Sequence, residues 1–436
     1  MKVLCVTIGS SGDVHPFVGI GIELARRGHD VTVVTNGHFQ SLIESAGLKF
    51  IELGKAEFYR EGLKNPELWH RTKGFKRVLE WGVLPFVRPT YEIIARESAG
   101  VPTVVIGSSL AMGTRVAQEK LGLPTVTVHL APSVFRSLIN PPVLPGLFMP
   151  RWYPMWLKSA LMKFADRKMI DPILAPMINP LLAELGLPAA SGFFKDWWNS
   201  PTRVLGLFPE WFAPPPADWP PQLRLTGFPL YDEAGVSHVS EELEKFLSDG
   251  PPPIAFTAGT AMTHGQDFFR TSVAAAQKLG RRAVLLTRHP EQLPSTLPKG
   301  VMHVSYAPFS ALLPRCAALV HHGGIGTTSQ ALRAGIPQLI YQMAHDQPDN
   351  AARIQRLGVG DTLRPSTYRK GRVVKMLDDL LNDPTVKANC VKIKMRFIGA
   401  HPLEKTCDEI EAMMPSTATG EEGMNAETQR RGEEVV

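Results

Sequence analysis

A glycine-rich turn with two adjacent histidines is the part of this sequence best suited by residue type to bind a negatively charged group. The turn reads HHGGIGTT, from His321 to Thr328, and lies between the apolar run AALV and the helical pattern SQALRAG. Glycines let a backbone approach a ligand closely, and the first turn of a helix offers unpaired N–H groups to phosphate oxygens. The spacing matches neither a dinucleotide G-x-G-x-x-G fingerprint nor a Gly-Lys-Ser/Thr P-loop. It predicts a phosphate site, with tight packing of strand against helix as the alternative role of the glycines.

The sequence on both sides of this turn alternates between strand-like and helix-like patterns. The strand-like runs are KVLCVTI, HDVTVVTN, PTVVIGS and PTVTVHL in the first half, and PIAFTAG, RAVLLTR, AALVHHGG and PQLIYQM in the second. Helical periodicity follows most of these runs, which indicates parallel sheets with crossover helices. The glycine-rich turn then lies at the carboxyl end of a strand, where such sheets bind ligands. We therefore expect two similar α/β halves.

The proline-rich stretch PEWFAPPPADWPPQ separates these halves, because proline makes a chain stiff and extended. We predict a first domain over residues 1–209, with an insertion at the rim of its sheet over about 132–186. A linker over 210–224 and a second domain over 225–390 follow. Residues 391–414 are predicted to be helical, and the polar stretch 415–436, which lacks apolar periodicity, to be a disordered tail.

Composition excludes several classes of protein. The 436 residues are 44% hydrophobic and 20% charged, as is typical of a folded soluble chain. No apolar run approaches the ~18 residues that span a bilayer, and the first strand is too short for a signal-peptide core. Four scattered cysteines predict free thiols and a cytoplasmic location. The modest net charge of +6, without basic clusters interleaved with aromatic residues, argues against nucleic acid as a partner, and nothing predicts an oligomeric state.

The residues that follow the glycine-rich turn resemble a known family. HHGGIGTTSQALRAGIPQLIYQMAHDQPDNAARIQRLGVG is similar to the donor-binding signature of the family-one glycosyltransferases of GT-B fold. The similarity points to the bacterial branch with antibiotic and sterol glycosyltransferases and the rhamnosyltransferase of rhamnolipid synthesis. GSSGDVHPF, TGFPLYD, FTAGTAM and SYAPFSALLPRC match weaker family motifs in the same order. The resemblance implies an α/β protein of GT-B fold, with two Rossmann-like domains whose parallel sheets face a central cleft.

The resemblance also implies which residues bind a nucleotide-diphosphate sugar. They are Gly259 and Thr260 at a phosphate-facing turn, Tyr306 and Ala307 against the nucleobase, His322, Gly324, Gly326 and Thr327 at the diphosphate, and Asp346 and Gln347 at the sugar hydroxyls. The residues themselves leave two alternatives open, a core position for Tyr306 and a helix-capping role for Asp346. The donor is expected to be a UDP- or dTDP-sugar, used as a co-substrate without a further cofactor. No D-x-D motif occurs, so no metal site is expected.

The resemblance also implies a general base, which lies within the segment GSSGDVHP. Asp13 matches the family residue, three positions before a proline, that removes the proton of the acceptor hydroxyl in an inverting displacement. A solvated aspartate of pKa ~3.9 is a weak base for an alcohol, so burial would have to raise its pKa. Two alternatives are that Asp13 caps the helix beginning near Pro16, and that His15 is the base instead. Where many relatives with a histidine base have an aspartate that orients it, this chain reads IGSSLAMG, without a carboxylate.

The acceptor site is expected in the rim insertion, because loops carry such specificity. Trp152 and Trp156, with basic residues between and after them, resemble an amphipathic interfacial segment. This favours a lipophilic acceptor (a flavonoid or polyketide, a sterol or a lipid) and contact with a membrane surface, here the inner membrane. An ordinary helix with aromatic residues inward and lysines outward is the alternative. His15 and His129 are further candidates for the acceptor pocket, although His129 equally fits a position in the core.

Together the patterns and the resemblance predict an inverting, metal-independent hexosyltransferase with Asp13 as its base. The sequence leaves two other functions open. One is a nucleotide-sugar epimerase or hydrolase of the same fold, and the other is a non-catalytic subunit that binds a nucleotide or a lipid.

Overall fold

Two parallel β-sheets, one in each half of the chain, form the framework of the protein. A computed structural model describes residues 1–147, 149–233 and 239–414. The strands of the first sheet are β1 (Lys2–Val6), β2 (Asp30–Thr35), β3 (Lys49–Glu52), β4 (Thr103–Ser108), β5 (Thr125–His129), β6 (Arg203–Gly206) and β7 (Leu223–Leu225). Those of the second are β8 (Ile254–Thr257), β9 (Ala283–Leu286), β10 (Val301–Val304), β11 (Ala318–His321), β12 (Gln338–Tyr341) and β13 (Gly360–Leu363).

Helices connect these strands and cover both faces of each sheet. In the first half they are α1 (Ser11–Arg26), α2 (Gln40–Ser45), α3 (Ala56–Leu63), α4 (Gly74–Arg77), α5 (Val87–Ser98), α6 (Gly113–Leu121), α7 (Met155–Ala165) and α8 (Asp171–Glu184). In the second half they are α9 (Glu241–Ser248), α10 (Gln266–Lys278), α11 (Phe309–Leu312), α12 (Ile325–Ala334), α13 (Gln347–Leu357), α14 (Lys370–Asn382), α15 (Pro384–Met395) and α16 (Pro402–Glu411). Central strands such as β4 and β8 consist of buried residues throughout, as expected when helices cover a sheet on both sides.

The strand orders place the predicted site residues at the equivalent position in each sheet, the point where the strand order reverses. The first sheet runs β3-β2-β1-β4-β5-β6-β7 and the second β10-β9-β8-β11-β12-β13. The order therefore reverses between β1 and β4 and again between β8 and β11. At such a switch point the helices leave on opposite faces of the sheet and open a crevice at the carboxyl ends of the strands. Asp13 follows β1, Gly259 follows β8 and His322 follows β11, so all three lie at these crevices.

The boundary between the domains differs from the sequence prediction. Residues 223–225, at the predicted junction of linker and second domain, form β7, which pairs in parallel with β6 at the edge of the first sheet. The first sheet thus extends beyond the proline-rich stretch, which serves as the crossover between its last two strands. The stretch is not extended as predicted, because hydrogen-bonded turns close from Pro209 to Phe212, from Pro216 to Trp219 and from Pro220 to Leu223. Proline spacing also held no information about which sheet the following strand would join.

The end of the described chain also returns to the first domain. Helix α16 lies within the predicted helical segment 391–414 and packs on α1, where Arg27 forms an ion pair of 2.7 Å with Asp408. Cys407 and Ile410 are fully buried in the core of the first sheet. The second domain is therefore followed by a helix that completes the core of the first, and the two domains are joined by the chain at two places.

Three other predictions concern the remainder of the chain. The second half of the rim insertion is helical and contains α7, a π-helical segment (Asp166–Ile170) and α8. All four cysteines are buried and free, as predicted. None of the helices in the described ranges is both long and apolar enough to cross a bilayer. The predicted tail, 415–436, lies outside the described residues.

Replacement of Ile410 by alanine should destabilise the first domain although this residue follows the second. Ile410 is fully buried among first-domain side chains, and loss of such an aliphatic side chain costs about 2–5 kcal/mol of unfolding free energy. Urea denaturation would measure the change. Met395→Ala, in exposed helix α15, is the control and should change stability by less than about 0.5 kcal/mol. Equal stability of the two variants would contradict the packing of α16 on the first domain.

Candidate active site

The predicted donor residues and the candidate base meet in one cavity between the two domains. The cavity has a volume of about 730 Å³ and lies at the carboxyl ends of both sheets. Its lining includes Asp13 and His15 from the first domain and, from the second, Gly259, Thr260, Tyr306, Ala307, His322, Gly324, Gly326, Thr327, Asp346 and Gln347. These residues therefore share one space, while their individual roles stay predictions.

His322 lies between two glycines that its imidazole ring requires. A Cβ atom on Gly324 would lie 2.5 Å from the ring Nε2, and one on Gly259 would lie 2.8 Å from the ring Cε1. Burial, together with the nearby His345, lowers the pKa of His322 to about 4, so the ring is neutral at neutral pH. Its Nδ1 atom is buried and has no hydrogen-bond partner among the described residues. A neutral imidazole with an unused polar atom can donate or accept one hydrogen bond to a ligand in the cavity.

The preceding histidine has a different environment. His321 is fully buried, with Nε2 2.9 Å from Gln338 Oε1 and Nδ1 3.1 Å from the N–H of Gly323. The amide N–H must donate to Nδ1, so the ring proton is on Nε2 and donates to Gln338. Burial lowers the pKa of His321 to about 3. His321 thus fixes the shape of the turn, whereas His322 faces the cavity.

The first turn of α12 is also directed at the cavity. Ile325, Gly326 and Thr327 are its first three residues, and all three line the cavity. The first N–H groups of a helix have no intrahelical partner, and together with the helix dipole they form a site for an anion. The geometry therefore supports the predicted use of this turn to bind phosphate oxygens. A Cβ atom at Gly326 would meet open space, so this glycine leaves room for a ligand.

Asp346 and Gln347 lie at the start of α13. Asp346 Oδ2 accepts a hydrogen bond of 2.7 Å from Asn350 Nδ2, and the Asp346 carbonyl accepts from the N–H of Asn350. Gln347 Oε1 accepts from the N–H groups of Met343 (2.7 Å) and Ala344 (3.1 Å). The amide nitrogen of Gln347 is thus the group of this side chain that remains for a ligand. Asp346 occupies the N-cap position of α13, but its side chain makes no capping hydrogen bond to the helix backbone, and it lines the cavity.

Asp13 likewise has a structural and a site-facing role. Its Oδ2 accepts hydrogen bonds from the Ser10 N–H (2.7 Å) and the Ser10 hydroxyl (3.1 Å), which completes a capping box at the start of α1. Gly9 makes this possible, since its φ is +136° and a Cβ there would collide with the carboxylate. Burial raises the pKa of Asp13, although the Ser10 bonds oppose the shift. This is the direction that a general base requires.

The two carboxylates influence each other across the cavity. Burial raises the pKa of Asp346 to about 6, the Asn350 hydrogen bond opposes the shift, and the charge of Asp13 adds to it. Asp13 belongs to the first domain and Asp346 to the second. The two domains therefore bring like charges close together at the place where a sugar is expected.

The sequence missed two charged residues near these groups. His15 Nε2 lies 3.1 Å from a carboxylate oxygen of Glu233, and both residues line a smaller cavity beside the main one. Arg288 follows β9 and lines both cavities, with its guanidinium 5.2 Å from the centre of the Tyr306 ring. The Tyr306 hydroxyl donates to the carbonyl of Asp232 at 2.9 Å. The only sequence signal for Arg288 was a basic residue directly after a strand, which is common in loops.

The first domain lines its part of the cavity with aromatic side chains, and we call this part the aromatic lobe. Phe58 stacks on Trp81 with ring centroids 5.2 Å apart and meets Phe86 edge to face at 5.7 Å. Phe75 and Phe194 form a second contact at 5.5 Å. All five residues line the cavity. Sequence reasoning placed the acceptor site in the rim insertion, with His15 and His129 as further candidates, and missed these five residues because they form no motif.

Three residues predicted for the acceptor pocket do not line the cavity. His129 is fully buried, with Nδ1 2.7 Å from Ser109 Oγ and Nε2 2.8 Å from Asn199 Oδ1. Burial lowers its pKa to about 4, so it is a neutral histidine of the core. Trp152 and Trp156 lie on the outer surface of the rim insertion and are largely exposed to solvent. Both corrections have the same cause: β5 and α7 reach the rim, but these side chains are turned away from the cleft.

Comparisons with known proteins agree with this architecture. A model of the glycosyltransferase family 28 N-terminal domain matches residues 3–139, and a model of the erythromycin biosynthesis protein CIII-like C-terminal domain matches residues 275–410. O-mycaminosyltylonolide 6-deoxyallosyltransferase of Streptomyces fradiae is 29% identical over 449 residues, covering 96% of this chain and 99% of the relative.

Solved structures show the same fold. The glycotransferase of kitacinnamycin superimposes with a TM-score of 0.72 at 22% identity, and the glycosyltransferase VinC in complex with dTDP with a TM-score of 0.68 at 20% identity. Each comparison covers 95% of this chain and 99% of the other. These similarities confirm the predicted GT-B fold.

Replacement of Gly324 by alanine should displace His322 and weaken nucleotide diphosphate binding. The backbone of Gly324 has an ordinary φ of −61°, so the added methyl group acts only through its collision with the imidazole ring. Calorimetry with UDP and with dTDP should show a loss of about tenfold or more, similar to that of His322→Ala. Gly371→Ala, where a Cβ meets open space in α14, is the matched control. Unchanged affinity in Gly324→Ala and His322→Ala would place the diphosphate elsewhere.

Asp346→Asn should stabilise the protein at alkaline pH and leave its stability unchanged near pH 4. Folding raises the pKa of Asp346 from 3.8 to about 6, so the folded chain holds this proton more tightly than the unfolded chain. Stability is therefore lost as pH rises from about 4 to 6, by up to about 3 kcal/mol. Urea denaturation at pH 4 and pH 8 measures the difference between variant and parent. Asp249→Asn, at an exposed position, should show none, and a gain at pH 4 in Asp346→Asn would refute the assigned shift.

Proposed function

This chain is a family-one glycosyltransferase of GT-B fold and of the antibiotic type, and we propose that it moves a hexosyl group from a UDP- or dTDP-sugar to a hydroxyl of a lipophilic acceptor with inversion. Its use of a nucleotide sugar follows from its family. The observation that carries the finer proposal is that Asp13 lines the same cavity as the aromatic lobe and the glycine-rich turn. A carboxylate in that cavity can accept the proton of an acceptor hydroxyl that is bound there beside a donor sugar.

The donor diphosphate is assigned to the second domain. The first turn of α12 and His322 offer N–H groups to its oxygens, and Arg288 adds a positive charge at the edge of the cavity. No group of three or more metal-ligating side chains occurs in the described part of the chain. Gln330 supplies a buried Oε1 atom without a protein partner, which can accept from a hydroxyl of the nucleoside.

The proposed reaction is a single displacement. The acceptor oxygen attacks the anomeric carbon as its proton passes to Asp13, and the bond from that carbon to the diphosphate oxygen breaks. The negative charge that develops on the leaving diphosphate is stabilised by the amides of α12 and by His322. In a single displacement the acceptor oxygen enters on the face of the anomeric carbon opposite to the departing diphosphate. Inversion of configuration is the consequence, with Asp13 contributed by the first domain and the diphosphate site by the second.

The acceptor is assigned to the aromatic lobe. Its stacked and edge-to-face rings offer flat apolar surfaces, which suit a polyketide, flavonoid, sterol or lipid. An epimerase or a hydrolase has no use for an apolar cavity beside the donor sugar, so the lobe favours transfer over these alternatives. We extend the proposal to an acceptor that is presented at a membrane surface, because α7 borders the same cavity.

Asp13→Asn tests the function and the base together. Asparagine can still accept from the Ser10 N–H, so the start of α1 should stay intact while the proton acceptor is lost. We expect kcat for transfer from UDP- or dTDP-glucose to fall about a hundredfold to ten-thousandfold, with the Kd of UDP and dTDP nearly unchanged. A panel of flavonol, macrolide, sterol and hydroxy-lipid acceptors would identify the substrate used for the assay.

His15→Gln is the matched control for this experiment. It removes the other candidate base, which is paired with Glu233, and we expect a change of less than tenfold. A collapse of kcat in His15→Gln with near-normal rates in Asp13→Asn would assign the base to His15 instead. Consumption of the donor without a glycosylated product, across the whole panel, would contradict transfer.

A further inference from the structure

Helix α7 and the residues just before it expose their tryptophan side chains to solvent. Its one buried residue is Lys158, which is 3% exposed, whereas Trp152 just before the helix and Trp156 within it are 76% and 71% exposed. Met155 and Phe164 are exposed as well. Helices of globular proteins normally turn apolar side chains inward and lysines outward. The sequence alternative of an ordinary helix with its aromatic residues packed inward is therefore wrong.

Buried polar contacts hold the helix in this orientation. The Lys158 ammonium group donates to the carbonyls of Leu138 (3.0 Å) and Arg151 (2.9 Å). Arg136 forms an ion pair with Asp166 at the end of the helix. A rotation that buried the tryptophans would break the contacts of Lys158, and leaving buried polar groups unpaired is costly. The exposure of the tryptophans is thus a fixed feature of the fold.

The surface around the tryptophans is positively charged. Arg151, Lys163, Arg167 and Lys168 are exposed, and none of them has an ion-pair partner in the ranges that the structure describes. Between residues 138 and 170 the single acidic residue is Asp166, which is buried and already paired with Arg136. We call the exposed residues of 151–169 the α7 surface. Its charge is complementary to an anionic partner.

The α7 surface is continuous with the cavity. Ala165, Met169 and Ile170, which follow the exposed part of α7, line the cavity on its first-domain side. Met169 is 59% exposed and also lines the cavity, so it lies at the mouth. A partner that covered the α7 surface would therefore lie directly at an opening of the aromatic lobe.

We infer that the α7 surface docks on an anionic lipid bilayer, with Trp152 and Trp156 in the headgroup region and the cavity mouth facing the membrane. Tryptophan and basic residues together are typical of interfacial helices, whereas lysine is depleted in protein–protein interfaces. Delivery of the acceptor from the bilayer into the aromatic lobe rests on the proposed function, whereas docking of the α7 surface on the bilayer does not depend on it.

Vesicle sedimentation tests the docking on the full chain without donor or acceptor. Vesicles of phosphatidylglycerol and phosphatidylcholine should bind the protein, and vesicles of phosphatidylcholine alone should bind it at least tenfold more weakly. High salt should remove the difference, because it screens the attraction. Lipids brominated near the headgroup should quench part of the tryptophan fluorescence of the parent chain.

Two double variants separate the apolar and the charged contributions. Trp152→Ser with Trp156→Ser should weaken binding about tenfold or more, since both side chains lose their contact with lipid. Lys163→Gln with Lys168→Gln should weaken binding to anionic vesicles roughly fivefold per residue. All four side chains are exposed, so the variants should fold as the parent does. Val101→Ser with Leu121→Ser and Lys278→Gln with Lys299→Gln, at exposed positions outside the α7 surface, are the matched controls.

Each outcome decides the inference. Equal vesicle binding by the parent chain and both α7 double variants, or no binding by the parent chain, overturns it. A change of oligomeric state in the tryptophan double variant, without vesicle binding by the parent, assigns the α7 surface to a second copy instead. Vesicle binding that depends on α7 while the acceptor panel yields no product supports docking and refutes the proposed function alone.

Discussion

The presence of two acidic groups in one cavity is the constraint on which the rest of the site depends. Asp13 comes from the first domain and Asp346 from the second, both line the cavity, and the charge of Asp13 adds to the raised pKa of Asp346. Folding tolerates this because each lies at the start of a helix and accepts local hydrogen bonds, Asp13 from Ser10 and Asp346 from Asn350. A diphosphate brings further negative charge into the cavity. In the proposed function this charge is offset by the α12 amides, the neutral imidazole of His322 and the guanidinium of Arg288, which line the second-domain side of the cavity.

Contacts between the domains keep the two carboxylates at this separation. His345, directly before Asp346, lies with its Nε2 2.9 Å from the carbonyl of Leu68 in the first domain. On the other side of Asp346, Asp349 accepts from the N–H of Val143 in the rim insertion and is held by Arg353 at 2.7 Å. The start of α13 is thus fixed to the first domain at two places. These contacts join the start of α13, where Asp346 lies, to the domain that carries Asp13 and the aromatic lobe.

The rim insertion combines two physical roles in one segment. Its inner residues close the aromatic lobe, and its outer residues present tryptophans and cations to solvent. Lys158 makes the combination possible, since its ammonium group satisfies two loop carbonyls that would otherwise be buried without a donor. A polar group in the interior therefore determines which face of α7 remains free.

The sequence by itself determined the elements and the groups that follow them. Strand-like runs, helical periodicity and the glycine-rich turn were sufficient for two parallel sheets and for a phosphate site at the carboxyl end of a strand, because these signals are local and the rule that places ligands there is general. The family resemblance added the donor-binding residues, Asp346 among them, and Asp13 as the base.

Tertiary structure alone decided that β7 and α16 belong to the first domain, and that Trp152, Trp156 and His129 do not line the cavity. It also brought Glu233 to His15 and assembled the aromatic lobe from residues without a motif. These outcomes depend on packing between segments that are distant in the chain. A local sequence pattern specifies whether a segment is a helix or a strand. Which face of that segment is buried depends on the free energy of packing against distant segments, and the local pattern does not contain those segments.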